Sequence, residues 1–259
     1  MMSRYGLAFW MIAIVLCSRA QAGERWSRGV AVVDYYARYT WKPPDKTGRR
    51  VVQACFDAVR ALGLEPDWVD PDIFLPSRAS ESRRYKRIVI PPHAEWFSQI
   101  IHEGMNDYVS SGGLLITNVS CVLVDANDNY MVDAKDRITD YPQHSFLGVR
   151  GHGGASIKRM KVLYACPLTK GVPVNEWLEL SPPPSGRKTS TTGATVVITS
   201  DYVAHEQQGK QPFLTFKHSG NGACVYLVPP ISARPGKPYL RLVENLFSSA
   251  VLEWLCLQE

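Results

Sequence analysis

The sequence predicts an α/β fold in three layers, a mostly parallel sheet with helices on both faces. Three observations predict it. Short apolar runs at Gly29–Val33, Lys86–Ile90 and Leu114–Thr117 read as strands covered on both sides. Between them, apolar residues recur at three- and four-residue spacing, the mark of a helix with one buried face. The connections are short and carry Gly or Pro, as strand–helix–strand units require.

In chain order, Met1–Ala22 comes first: a basic start at Arg4, a twelve-residue apolar run from Gly6 to Cys17, and an Ala20-Gln21-Ala22 exit. This is the layout of a cleaved secretory signal peptide, and the run is short of the roughly 20 residues that span a bilayer. The expectation is an exported chain beginning at Gly23, with no membrane association once the signal is removed. Strand Gly29–Val33 leads into an aromatic, Pro-rich loop. From Gly48 to Leu62, the positions Val51, Val52, Cys55, Phe56, Val59 and Leu62 predict an amphipathic helix, closed by Gly63. Leu64–Val69 fits an edge strand, where Pro66 is tolerated. After an Arg- and Ser-rich loop, Lys86–Ile90 is a strand stopped by Pro91-Pro92. Trp96, Phe97, Ile100, Ile101, Met105, Tyr108 and Val109 mark a second helix, ended by Gly112-Gly113 before strand Leu114–Thr117. The order predicts a doubly wound, flavodoxin-like sheet with its site beyond the carboxyl ends of the strands.

The second half is richer in strands. Ser156–Tyr164, Ala194–Thr199, Pro212–Lys217 and Ala223–Val228 have strand patterns; Ser181–Gly193 has the composition of an exposed, mobile loop. Tyr239–Leu257 carries a long apolar helical stripe. No repeat or composition break divides residues 23–259, so a single α/β domain is expected.

Composition excludes fibrous and wholly disordered classes: 45% of the 259 residues are hydrophobic and 20% charged. Loss of Arg4 and Arg19 with the signal lowers the net charge from +5 to +3, too small and dispersed for a nucleic-acid partner. Cys55, Cys121, Cys166, Cys224 and Cys256 then remain, an odd number without a Cys-x-x-Cys pair. Cys55 and Cys256 fall on apolar helix stripes and Cys224 in an apolar strand, which fits buried thiols better than a disulfide framework.

Residues Tyr85–Arg150 carry a family resemblance. A Tyr-Lys strand ends in Pro (Tyr85–Pro91), a helix ends in Gly112-Gly113, an acidic loop spans Val124–Asp128, and a Tyr-Pro…Leu-Gly-Val-Arg segment spans Tyr141–Arg150. In this order they resemble the middle domain of family 42 glycoside hydrolases, the β-galactosidase trimerisation domain, which is similar to class I glutamine amidotransferases. The resemblance implies assembly and framing of an active site, while the catalytic glutamates belong to a separate (β/α)₈ barrel. A barrel takes about 250 residues. Removing 22 residues from 259 leaves 237 for everything, so no complete family 42 enzyme is expected here.

Similarity to glutamine amidotransferases also implies a cysteine on a tight turn between glycines, with a later His-x-Glu. Cys121 lies near that place, but no glycine flanks it, Val122 follows it, and His205-Glu206 are adjacent. The main reading is therefore an exported, non-catalytic amidotransferase-like module with a binding or assembly role in carbohydrate metabolism. The alternatives are a hydrolase or amidase using Cys121 with His205 and Glu206, and a homo-oligomerising scaffold.

Tyr35, Tyr36, Tyr39 and Trp41 follow the first strand, which makes them candidates for stacking on a carbohydrate ligand. Asn118, Asp125, Asp128 and His152 complete the candidate ligand-binding set, His152 lying in a Gly-rich segment that reads as a connector. Asp125, Asn127, Asn129, Asp133 and Asp136 imitate the 1, 3, 5, 9 and 12 positions of a calcium loop, but Tyr130 occupies the position where the sharp turn needs Gly. A solvated acidic loop is the simpler reading. No metal or cofactor is expected.

Overall fold

The computed structural model describes residues 28–34, 46–92, 96–118, 122–124, 147–204 and 207–256. Its elements are β1 (Arg28–Val33), α1 (Lys46–Arg60), β2 (Asp67–Val69), β3 (Tyr85–Ile90), β4 (Trp96–Ser98), α2 (Gln99–Ser110), β5 (Leu114–Thr117), β6 (Val122–Val124), β7 (Val149–Val162), β8 (Trp177–Glu179), β9 (Ser185–Thr191), β10 (Thr195–Ala204), β11 (Gln207–Ser219), β12 (Gly222–Leu227), α3 (Lys237–Leu246) and α4 (Ser249–Cys256). One mixed sheet has the order β2-β1-β3-β5-β12-β11-β10-β7-β8, with β9 pairing on β7. From β2 to β12 neighbouring strands are parallel. Beyond β12 they form an antiparallel wing. The chain is thus α/β and flavodoxin-like, as the strand–helix pattern predicts, with the strand-rich second half added along one side.

Apolar burial explains the central position of β5 and β12, in which every residue is buried. Val32, Ile88, Val89, Leu115, Ile116 and Val225 have no exposure at all. Each such side chain contributes about 1.5–3 kcal/mol relative to an exposed one. Helix α2 is fastened to the sheet by Tyr108, whose hydroxyl donates to the carbonyl of Tyr85 at 3.0 Å. The helix stops because Gly112 takes φ +105°, which lets Gly113 N–H return to the Tyr108 carbonyl at 3.1 Å. A close approach on the same helix also requires glycine: a Cβ at Gly104 would lie 1.6 Å from the Phe74 carbonyl oxygen.

Four local expectations are corrected. Residues Trp96–Ser98 are not the first turn of α2 but a strand, β4, parallel to β6 in a separate two-stranded sheet; Ser98 is extended and helical geometry begins at Gln99. The predicted loop Ser181–Gly193 contains β9, which pairs with β7 from Val149↔Thr191 to Ser156↔Ser185. Its polar residues suit an edge strand, and the buried Thr189 N–H donates to Gln211 Oε1 at 3.0 Å. The Gly-rich segment around His152 is part of β7, and a register shift between His152 and Gly154 absorbs one residue as a bulge. The long C-terminal helix is two helices. Ser248 breaks it: its Oγ donates to Asn245 O at 2.8 Å and accepts from Val251 N–H at 3.3 Å. Its carbonyl accepts twice, from Leu252 N–H at 3.4 Å in the first turn of α4 and from Nη2 of the buried Arg87 at 2.6 Å.

The described cysteines Cys55, Cys166, Cys224 and Cys256 are free thiols, and all but Cys166 are buried. Burial pushes the Cys55 and Cys256 thiols up to about 11.

Candidate functional site

The carboxyl ends of β1, β3 and β5 lie side by side, because these strands are parallel and adjacent. They deliver Asp34, Pro91 and Asn118 to one edge of the sheet. Of the predicted ligand residues, Asn118 is the one whose side chain the structure describes, and its role is structural. Its Nδ2 donates to the carbonyls of Leu227 at 2.9 Å and Pro229 at 2.7 Å, tying the exit of β5 to the exit of β12. At 3% exposure it offers no surface to a ligand, although Oδ1 has no hydrogen-bond partner among the described residues. Tyr35, Tyr36, Tyr39, Trp41, Cys121, Asp125, Asn127, Asp128, Asn129, Asp133, Asp136, His205 and Glu206 lie outside the described residues. His152 is placed by its backbone, opposite Lys188 on β9.

Beside β1, at the start of α1, is a cleft of about 230 Å³ lined by Asp34, Arg49, Val52, Gln53 and Trp68. Its position follows from register. Val33 pairs with Val69, and Asp34 N–H donates to Val69 O at 2.7 Å, so Trp68 and Asp34 meet at the end of the sheet. The Trp68 ring stacks on Phe56 of α1 with centroids 4.1 Å apart and planes 9° from parallel. The indole nonetheless remains 41% exposed, and its uncovered surface opens on the cleft. A flat aromatic beside a carboxylate, a guanidinium and a side-chain amide is an arrangement that holds a polyhydroxylated ring. Sequence reading missed this site because Trp68 looks like one more strand residue; only the pairing of β2 with β1 brings it to Asp34.

A second cleft, of about 490 Å³, lies on the antiparallel wing and includes Lys158, Arg159, Glu179, Asp201 and Lys210. Four of these form one row across the sheet, Glu179–Arg159–Asp201–Lys210, because Arg159 pairs with both Glu179 and Asp201, and Asp201 with Lys210. Lys158 joins them through a bulge: Asp201 pairs with Arg159 but Tyr202 pairs with Ile157, so Lys158 is the extra residue on β7. No group of three or more His, Cys, Asp or Glu side chains suited to a metal occurs among the described residues.

Several solved structures share this fold. The cold-adapted β-galactosidase from Rahnella sp. R3 matches with a TM-score of 0.59 and 15% identity, over 98% of this chain and 35% of its own. The GH42 β-galactosidase Gan42B from G. stearothermophilus, as its E323A catalytic mutant, matches with a TM-score of 0.51 and 14% identity, over 78% of this chain and 27% of its own. A ThuA-like protein from Bacteroides uniformis matches with a TM-score of 0.57 and 12% identity, over 86% of this chain and 91% of its own. The chain thus spans about a third of the length of the β-galactosidases, in agreement with the resemblance to one of their domains, and nearly all of a ThuA-like one. No family model and no curated protein matches the sequence.

Proposed function

We propose that the chain is an exported, non-catalytic carbohydrate-binding module that takes a neutral sugar ring in the cleft at the carboxyl edge. The observation that carries this is the half-exposed Trp68 in β2, ringed by Asp34, Arg49 and Gln53. The fold supports it: ligands of doubly wound sheets sit beyond the carboxyl ends of the strands, and the fold is shared with a domain-sized part of β-galactosidases. Trp68 supplies the stacking face. Asp34 accepts hydrogen bonds from ring hydroxyls, and Arg49 and Gln53 donate to ring oxygens. Assembly into homo-oligomers belongs to the same reading, as does removal of Met1–Ala22.

Isothermal titration with neutral galacto-oligosaccharides tests it. Binding weakened at least tenfold in Trp68→Ala supports the module; no binding, or binding that ignores the substitution, overturns it. An amide and glycoside substrate panel run on wild type and Cys121→Ala addresses the rival, since cysteine-dependent turnover would end the non-catalytic reading. Light scattering reports the oligomer, and the mass of the exported chain reports whether it starts at Gly23.

A further inference from the structure

We propose that the cleft on the antiparallel wing is a second binding site, specific for an acidic sugar: a hydroxylated ring carrying a carboxylate, of the uronate type. It lies at the β8 end of the sheet, whereas the Trp68 cleft lies at the β2 end, so the two are independent.

The Arg159 guanidinium lies 4.5 Å from the centroid of Trp177, and Lys210 Nζ lies 5.6 Å from the same ring. One indole therefore positions two positive groups through attraction to its π face, which lowers the entropy lost when they grip a ligand. Arg159 is fixed further by its Nε, which donates to Asp201 Oδ2 at 2.6 Å. No other hydrogen bond from this guanidinium occurs among the described residues, so its Nη donors remain for a carboxylate. Lys158, turned into the cleft by the bulge, has no carboxylate partner among the described residues, and neither has Lys210.

The acceptors narrow the ligand class. Glu179 and Asp201 share the cleft with the three cations, and Gln208 adds an amide. A bare inorganic anion would gain from Lys158, Arg159 and Lys210 but would face two carboxylates. A neutral sugar would satisfy Glu179 and Gln208 through its hydroxyls and leave the cations unused. A ring with both hydroxyls and one carboxylate uses every group. The volume, about 490 Å³, is within the range of about 300–1,000 Å³ usual for small-molecule sites. The Tyr202 ring is 7% exposed, so the directed contacts come from the charged and amide groups.

The test is titration of the full mature chain with trigalacturonate, with neutral galactotriose and with inorganic phosphate. Lys158→Ala and Lys210→Ala are the variants, both at exposed positions, with Trp68→Ala as a control. The expected result is trigalacturonate binding at least tenfold tighter than either comparison ligand. It should weaken at least tenfold in each lysine variant, fall as salt rises, and stay within twofold in Trp68→Ala. Equal binding of phosphate, unchanged affinity in the lysine variants, or no binding overturns the proposal. Loss confined to Trp68→Ala also overturns it, by assigning the ligand to the carboxyl-edge cleft. Retention of trigalacturonate binding with no response to neutral sugars would instead end the carboxyl-edge reading and leave this one standing.

Discussion

Arg159 and Asp201 face each other across β7 and β10, with Nε 2.6 Å from Oδ2, and the Arg159 guanidinium is shared with the face of Trp177. The pair stands in the middle of the four-residue charge row, where it is partly open to solvent at 41% and 23% side-chain exposure. Exposed pairs of this kind contribute about 0.2–1 kcal/mol, because water screens them and ordering two side chains opposes them. A double-mutant cycle of Arg159→Ala and Asp201→Ala in urea is expected to give a coupling energy within that range. A coupling several times larger would mean that the row holds the wing together rather than merely decorating it.

Gly104 carries a sharper expectation. Alanine favours helices over glycine by about 1 kcal/mol, yet at this position its Cβ would lie 1.6 Å from the Phe74 carbonyl. Moving α2 away from the turn at Pro71–Phe74 costs about 1–3 kcal/mol or more. Gly104→Ala should therefore lower the denaturation midpoint. A midpoint equal to or above that of the wild type would show that the helix can shift freely.

Asn118 should behave as a clamp. Replacing it with Ala removes a donor from the Leu227 carbonyl and leaves the Pro229 carbonyl with the Tyr239 hydroxyl at 3.0 Å. Each such buried loss costs about 1–3 kcal/mol. Chemical denaturation is expected to show destabilisation of at least that size. Sugar binding at Trp68 should persist in the folded fraction, which separates the clamp from a ligand contact.

The thiols give a pH dependence. Burial raises Cys55 and Cys256 to about 11, so folding favours their protonated forms. Stability from this source is complete below the unfolded thiol value, near 8.5, and is lost as pH rises from there through about 11. Denaturation at pH 8 and pH 10.5 should show the fall, and substituting both cysteines with Ala should make it shallower, the remainder coming from the buried hydroxyls of Tyr108 and Tyr239, which burial also raises. Native alkylation should label Cys166 before Cys55, Cys224 or Cys256, because it is the one described thiol that is not buried.

The alternation of apolar runs and helical stripes determined the α/β class on its own. It also located β1, β3, β5, β12 and α1 to within a few residues, since burial on both faces fills most positions of those strands with apolar side chains. It determined, too, that the cysteines in apolar stripes are buried. Polar elements were different. Strand β9 exists because β7 offers it a hydrogen-bonding edge, which no propensity of Ser185–Thr191 announces. At the break, the Ser248 carbonyl is held by Arg87, 161 residues away in the chain. The clefts, too, were decided by register. Trp68 meets Asp34 through pairing of β2 with β1, and Glu179, Arg159, Asp201 and Lys210 align only after three separate strand pairings. Periodicity records which face of an element is apolar, whereas a site depends on which elements become neighbours, and that is settled only when the whole sheet closes its hydrogen bonds.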